Sequence, residues 1–364
     1  MLSKRAQETI ELSKPTDKKP RDGTAGESPL GRHVFRLPNV VSFLLALIVL
    51  YLGYRELLGL DWREAWANVQ GANVGLFVLA FALFYCTFPL RALRWKVLLG
   101  NVGYNDTAVR LMPSSLGLTR IIYLGCFANS LALARLGDAY RGYLLKNVAG
   151  VSFVVTLGTV LAERLLDTFV VALMMGAGLL VVFHGSLPME ATQLLSAGLI
   201  LSAIGVLGLL SMRRLRGVFE RILPKGLHAH YSHFEHGLVS SFRCLPLLVT
   251  YSVAGWLIEG AALYMIAVAV GTPVSVAGAL LVALAAALLT SVPITPSGLG
   301  FTEGGMIIIL GWLGLDTYTA SAITLLFRII NYWSIIVFGL VIYLFSRRRS
   351  KTTSFHQRKV GPTL

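Results

Sequence analysis

Four short strings of charged, glycine and proline residues hold the chemistry this sequence can offer. Glu163-Arg164-Leu-Leu-Asp167 sets two carboxylates one helical turn apart, with Arg164 reaching Asp167 at i, i+3. Its flanks are apolar, and a charge at a bilayer centre costs roughly 2.5–3.5 kcal/mol on insertion scales, so these residues must be paired or face a cavity. A gating role and an ion-pair knot between helices both fit them. In Asn129-Ser-Leu-Ala-Leu-Ala-Arg135-Leu-Gly137-Asp138-Ala-Tyr-Arg141, Asp138 just after a glycine suits a helix start, where a carboxylate meets the positive end of the dipole. Arg141 then projects on the same face at i, i+3, either as a salt bridge at the cytoplasmic boundary or as a phosphate-binding arginine held by its neighbours.

The string Pro293-Ile-Thr-Pro296-Ser297-Gly298-Leu-Gly300-Phe-Thr302-Glu303 is the richest. Its prolines break an incoming helix, its glycines permit positive φ and close approach, and Thr302 or Ser297 could cap the next helix with Glu303 near its positive end. A helix N-terminus aimed into the membrane from such a loop is an anion site, a tight turn between two short helices being the plain alternative. Glu259 and Arg328, with Asn331 on the next turn, are lone polar residues in apolar runs, and the simplest arrangement pairs Glu259 with Arg328. His228, His230, His233 and His236 beside Glu235 lack a zinc spacing and read as part of a solvated basic loop. Cys86, Cys126 and Cys244 are odd in number and read as small buried hydrophobes rather than a disulfide or metal framework. With no nucleotide-binding loop, Gly-x-Ser-x-Gly elbow or His-Glu-x-x-His pair, no catalytic residue, cofactor or metal is expected.

The strings must be positioned by elements of a chain that is 55% apolar and 14% charged with a mean hydropathy of +0.70, against about 25% charge in a soluble domain. That composition excludes a soluble enzyme, a DNA-binding domain and a secreted disulfide scaffold, and gives an all-α polytopic integral membrane protein. Runs close to the ~20 apolar residues a spanning helix needs predict about six full transmembrane helices, over 37–58, 72–90, 158–183, 191–210, 246–270 and 318–345. The stretches 107–157 and 274–313 are apolar but interrupted by Pro, Gly or charge, and each fits a re-entrant helical hairpin lining a cavity. Counted along the chain, the two hairpins dip from opposite faces, the layout with which inverted-repeat transporters build a site from broken helices.

The net charge of +14 is not spread evenly: 20 of 32 basic residues lie in 1–38, 211–245 and 347–364. Lys and Arg gather on the cytoplasmic side. The expected organisation is therefore a disordered basic cytoplasmic tail over 1–36, a transmembrane domain over 37–346 with a cytoplasmic loop at 211–245, and a basic cytoplasmic tail over 347–364. This placement argues against nucleic acid as a partner. Arg91, Arg94, Trp95 and Lys96 read as a basic and aromatic anchor where the second span reaches the cytoplasm, with residues 62–66 and 184–190 on the far side.

Taken in chain order, Arg91-x-x-Arg94-Trp95, Asn129…Arg135-x-Gly137-Asp138-x-x-Arg141, Glu163-Arg164-Leu-Leu-Asp167 and Pro293-x-x-Pro296-x-Gly298-x-Gly300-x-x-Glu303 carry a family resemblance. Over about residues 38–346 the chain resembles the flippase-like family typified by the transmembrane region of bacterial lysylphosphatidylglycerol synthases. The resemblance implies a membrane domain linked to moving a lipid, either aminoacylated phosphatidylglycerol or a polyprenyl-linked glycan precursor, across the cytoplasmic membrane. Leu133 stands where the family usually has Pro, and Ser297 where it usually has Gly. Only 18 residues follow Ser346, so the aminoacyl-transferase domain that follows this region in the synthases is not expected here, nor is lipid aminoacylation by this chain alone.

The leading expectation is a lipid flippase-like transporter whose head-group contacts are Arg141, Arg164, Gly298, Gly300 and Arg328, with Asp138, Glu163, Asp167, Glu259 and Glu303 as gating or ion-pair residues. Its partner would be a membrane lipid. The rival from another class is a non-transporting membrane partner of a separately encoded glycosyltransferase or synthase. A third, an intramembrane enzyme acting on a polyprenyl phosphate, would use Glu163 and Asp167 as its acid and base.

Overall fold

The computed structural model describes residues 62–105, 109, 111–132, 135–183, 189–214, 224–272, 274–291 and 295–344. Within them the chain forms α1 (Trp62–Gln70), α2 (Val74–Asn101), α3 (Ser115–Leu131), α4 (Leu136–Ala149), α5 (Phe153–Phe183) and α6 (Met189–Arg214). It continues with α7 (His228–Ser240), α8 (Leu245–Val270), α9 (Val276–Ser291), α10 (Phe301–Trp312) and α11 (Thr317–Arg328), and these residues contain no strand. The span expected over 37–58 and the tails 1–36 and 347–364 lie outside the described residues, as do Leu133 and Pro293.

Four lengths among the described residues are long and apolar enough to cross a membrane: Val74–Asn101, Phe153–Phe183, His228–Val270 and Thr317–Leu344. The fourth expected span coincides with α6, which carries a shorter apolar stretch at Gly198–Leu209. Each interrupted stretch folds as two shorter helices packed on each other, α3 with α4 and α9 with α10. Leu281 to Ala286 of α9 are each at most 3% exposed, so every face of the middle of this helix is covered by protein, while Val276 at its start is exposed. A helix apolar all round must be buried in this way or face lipid.

Three expectations change. The second span continues through Pro89 to Asn101 instead of ending at Leu90, although Pro89 deprives the Tyr85 carbonyl of its helical donor. Arg94 and Trp95 are 4% and 0% exposed, so they are not a boundary anchor but part of the interior between α2, α5 and α8. Residues 228–240, expected within a solvated loop, form α7 packed on α5. A Cβ on Gly237 would stand 2.2 Å from the Val155 carbonyl oxygen, which is why the small residue is needed where these backbones touch. The cysteines depart as well: Cys86 and Cys244 are exposed on the helix surface and Cys126 is half-buried.

α11 starts at Asp316, whose carboxylate accepts from the Tyr318 and Thr319 amides at 3.0 Å. The helix then passes through a π-helical turn, Ile329–Trp333, and resumes as α-helix to Leu344.

Candidate functional site

Three of the four strings meet in one ion-pair network. Arg94 on α2 donates from Nη2 to Glu163 Oε1 at 2.7 Å and to Asp167 Oδ2 at 2.8 Å, and from Nη1 to Asp167 Oδ1 and to Ser252 Oγ on α8. The second oxygen of Glu163 accepts from Arg141 Nη2 of α4 at 2.8 Å. The Arg141 guanidinium lies 4.4 Å over the Trp95 ring, whose Nε1 donates to Thr159 Oγ1 at 3.2 Å. Each helix thus brings charge that another neutralises, which is how ionised groups persist between apolar faces.

Asp138 and Arg141 both lie on the early turns of α4, as their spacing predicts, but they do not pair. Arg164 grips Asp138 in a fork, Nε to Oδ2 at 3.0 Å and Nη2 to Oδ1 at 2.8 Å. The expected Arg164 partners on its own helix, Asp167 one turn on and the adjacent Glu163, belong instead to Arg94 and Arg141. A carboxylate on a neighbouring helix can meet both arms of a guanidinium in parallel, which a residue on the same helix reaches less well. The expected pair of Glu259 with Arg328 is also replaced: Glu259 accepts from Arg91 Nη2 at 2.9 Å, and Arg328 Nε donates to Glu303 at 2.6 Å.

Asp138 reaches Arg164 because α3 and α4 cross at glycine. A Cβ on Gly137 would stand 2.0 Å from the Gly125 carbonyl oxygen, and the Gly137 amide donates to Asn129 Oδ1 at 2.7 Å. The turn before α4 places Arg135 in the left-handed region at φ +54. Between α9 and α10 the chain turns through Pro296–Gly298, with Ser297 at φ +47 and Gly300 at φ +87. Ser297 thus occupies the backbone conformation that glycine adopts without crowding at Cβ, and this is the position where the resembled family usually has glycine.

Gly300, rather than Thr302 or Ser297, holds the N-cap position of α10, and its amide donates to Glu303 at 2.7 Å. The anion at this helix start is therefore the chain's own carboxylate. Gly298 is packed inward, where a Cβ would stand 2.5 Å from Thr302 Oγ1. Neither glycine presents the open anion site expected from the sequence.

Both turns border one cavity of about 540 Å³. Arg135 and Asp138 line it from the first hairpin, Ser297 from the second, Arg164 from α5 and Arg328 from α11. Arg135 Nη2 donates to the Thr290 carbonyl at 3.2 Å, joining the two hairpins across the cavity edge. Arg141, Glu163 and Arg94 stand behind this wall, buried to 4% exposure or less. An apolar groove of about 800 Å³ adjoins it, walled by Phe81, Leu116 and Phe338, and Phe88 borders both spaces. Tyr85 on the groove wall shares hydroxyl contacts with Tyr123 at 2.9 Å and Ser334 at 2.7 Å.

A family model described as the lysylphosphatidylglycerol synthase TM region matches residues 39–339. The chain belongs to that family. Among its relatives is a UPF0104 membrane protein of Methanocaldococcus jannaschii, 34% identical over 223 residues, which are 61% of this chain and 95% of the relative. A UPF0104 membrane protein of Methanothermobacter thermautotrophicus is 25% identical over 286 residues, covering 72% of this chain and 82% of the relative. Glycosyltransferase AglD of Haloferax volcanii is 22% identical over 325 residues, which are 79% of this chain and 50% of that protein. Family membership and the long apolar helices make this a multi-pass membrane protein.

In this lysylphosphatidylglycerol synthase TM region chain, sequence reasoning missed the structural roles of Arg91, Arg94 and Arg135. Arg94-Trp95 carried a signal, since an arginine beside a tryptophan shortly beyond Pro89 continues an apolar helix as readily as it ends one. Arg135 carried none beyond its membership of the string, because its backbone strain and its reach to Thr290 depend on the second hairpin.

Proposed function

We propose that the protein is a flippase-like transporter of the cytoplasmic membrane that moves an anionic or polyprenyl-linked lipid between leaflets. The observation that supports this reading is the junction at Phe88 of an arginine-bearing cavity with an apolar groove. A lipid has the same two halves: a charged head that needs a partner inside a low-dielectric medium, and tails that lose nothing by remaining beside apolar side chains. In this reading Arg164, Arg328 and Arg135 face the head group, and Arg141, Glu163 and Arg94 fix the helices that carry them. The two hairpins enter from opposite faces as re-entrant elements, alongside six full spans, and both termini lie in the cytoplasm. The chain performs no covalent chemistry on the lipid.

Purified protein in liposomes with head-group-labelled lipids tests this: movement of label between leaflets without any partner is expected. Chemically altered lipid would favour an intramembrane enzyme, and neither movement nor alteration would favour a scaffold. The similarity to half of glycosyltransferase AglD supports that last reading as the second choice, a membrane partner for a separately encoded glycosyltransferase or synthase.

A further inference from the structure

The described residues place six arginines and five carboxylates on the cavity wall and directly behind it, and every carboxylate has an arginine: Asp138 with Arg164, Glu163 with Arg94 and Arg141, Asp167 with Arg94, Glu259 with Arg91, and Glu303 with Arg328. Arg135 has no carboxylate partner among the described residues. Its guanidinium makes a single hydrogen bond, to the Thr290 carbonyl at 3.2 Å, and lines the cavity. Arg328 is 4% exposed; its Nε is held by Glu303, but its Nη2 is buried with no hydrogen-bond partner, as is Asn331 Oδ1 on the same wall. A buried donor left unpaired is destabilising, and a ligand oxygen would relieve it.

We propose that Arg135 and Arg328 together seat one singly charged phosphodiester in this cavity, a proposal that rests on the head-group reading above. The surplus over the paired charges is one positive charge. A phosphodiester carries one negative charge at neutral pH, whereas a phosphomonoester carries about −1.5 to −2 and a diphosphate more. Between the helices of a membrane domain, where the dielectric is low, such a mismatch weighs far more than it does in solution. Through the N–H groups that Glu303 and Thr290 leave unused, the two arginines match in number the two free oxygens of a diester, one arginine to each. Glycerophospholipids and sugar phosphates linked to an isoprenoid both offer this group.

The full chain in a neutral detergent can be titrated calorimetrically with dihexanoyl phosphatidylglycerol, glucosyl phosphocitronellol, dihexanoyl phosphatidic acid and inorganic phosphate. At least one diester is expected to bind about tenfold or more tightly than phosphatidic acid or phosphate, and the better diester identifies the source. In protein that still folds, Arg135→Gln should weaken that diester by about tenfold or more while leaving the weak binding of inorganic phosphate little changed, and Arg135→Lys should fall between. If Arg135→Gln does not fold, Arg328→Lys, which keeps the charge and removes Nη2, makes the same comparison. A monoester or free phosphate binding as tightly as the diesters, or unchanged diester affinity in the folded variants, overturns the proposal. Because calorimetry reads binding without transport, the two readings fail separately. A chain that binds the diester but moves no lipid in vesicles rejects transport and keeps the seat, whereas lipid movement without diester preference does the reverse.

Discussion

Arg164 and Asp138 share two parallel hydrogen bonds between helices that are 26 positions apart in the chain at this point. Removing the arginine leaves a carboxylate only 13% exposed without its counter-charge. For a fully buried pair that costs ~3–5 kcal/mol, and the 29% exposure of Arg164 places this case toward the lower end. Arg164→Leu should therefore lower the melting temperature in detergent, and adding Asp138→Leu should restore most of the loss, because the pair leaves together. Equal melting temperatures for the wild type and Arg164→Leu would show that the pair contributes nothing. The sequence revealed that Glu163, Arg164, Asp167, Asp138 and Arg141 needed partners, since bare charges do not persist among apolar runs. It did not reveal which partners, because helix spacing ranks neighbours on one helix and is silent about the next helix.

The first hairpin depends on a contact without side chains. At Gly137 a Cβ would lie 2.0 Å from the Gly125 carbonyl oxygen, so α3 and α4 must separate if one is added. That separation would draw Asp138 from Arg164 and Arg141 from Glu163 at once. Gly137→Ala is expected to abolish the monodisperse folded peak in size-exclusion chromatography. Gly304→Ala, in α10 where nothing lies within 4 Å of the added Cβ, should keep the peak and gain roughly 0.5–1 kcal/mol of helix stability. Element positions were readable where hydropathy alone decides, as for α8, which begins at Leu245 against an expected 246. They were misread where a tertiary partner overrides a local signal. Arginines suggested an end to the second span, yet Glu163 and Asp167 let the helix carry Arg94 inside.

On the scale of the whole molecule, the proposed orientation, with 1–38, 211–245 and 347–364 in the cytoplasm, rests on the clustering of Lys and Arg in these segments. With Cys86, Cys126 and Cys244 replaced, a single cysteine introduced at Ser354 or at Lys225 should resist a membrane-impermeant maleimide in intact cells and react after lysis. Labelling in intact cells would invert the topology and move the cavity's accessible side with it. The meeting of two interrupted stretches was foreseeable, because broken backbone at membrane depth needs polar company. The bond that joins them, from Arg135 to the Thr290 carbonyl, was not, since it links residues 155 positions apart.

The π-helical turn at Ile329–Trp333 separates Arg328, which borders the cavity, from Phe338, which borders the groove. Such a turn is an α-helix that has taken in one residue more than its rise requires, bulging instead of rotating the C-terminal half of the helix. The same length of chain could lose one residue there and close as ordinary α-helix, with Arg328 and Phe338 keeping their bearings. A deletion one turn further on would have no bulge to absorb it and would swing the groove wall by about 100°. A one-residue deletion within this turn is therefore tolerated by the helix in a way that a deletion one turn further on is not, a freedom of length that the fold itself licenses.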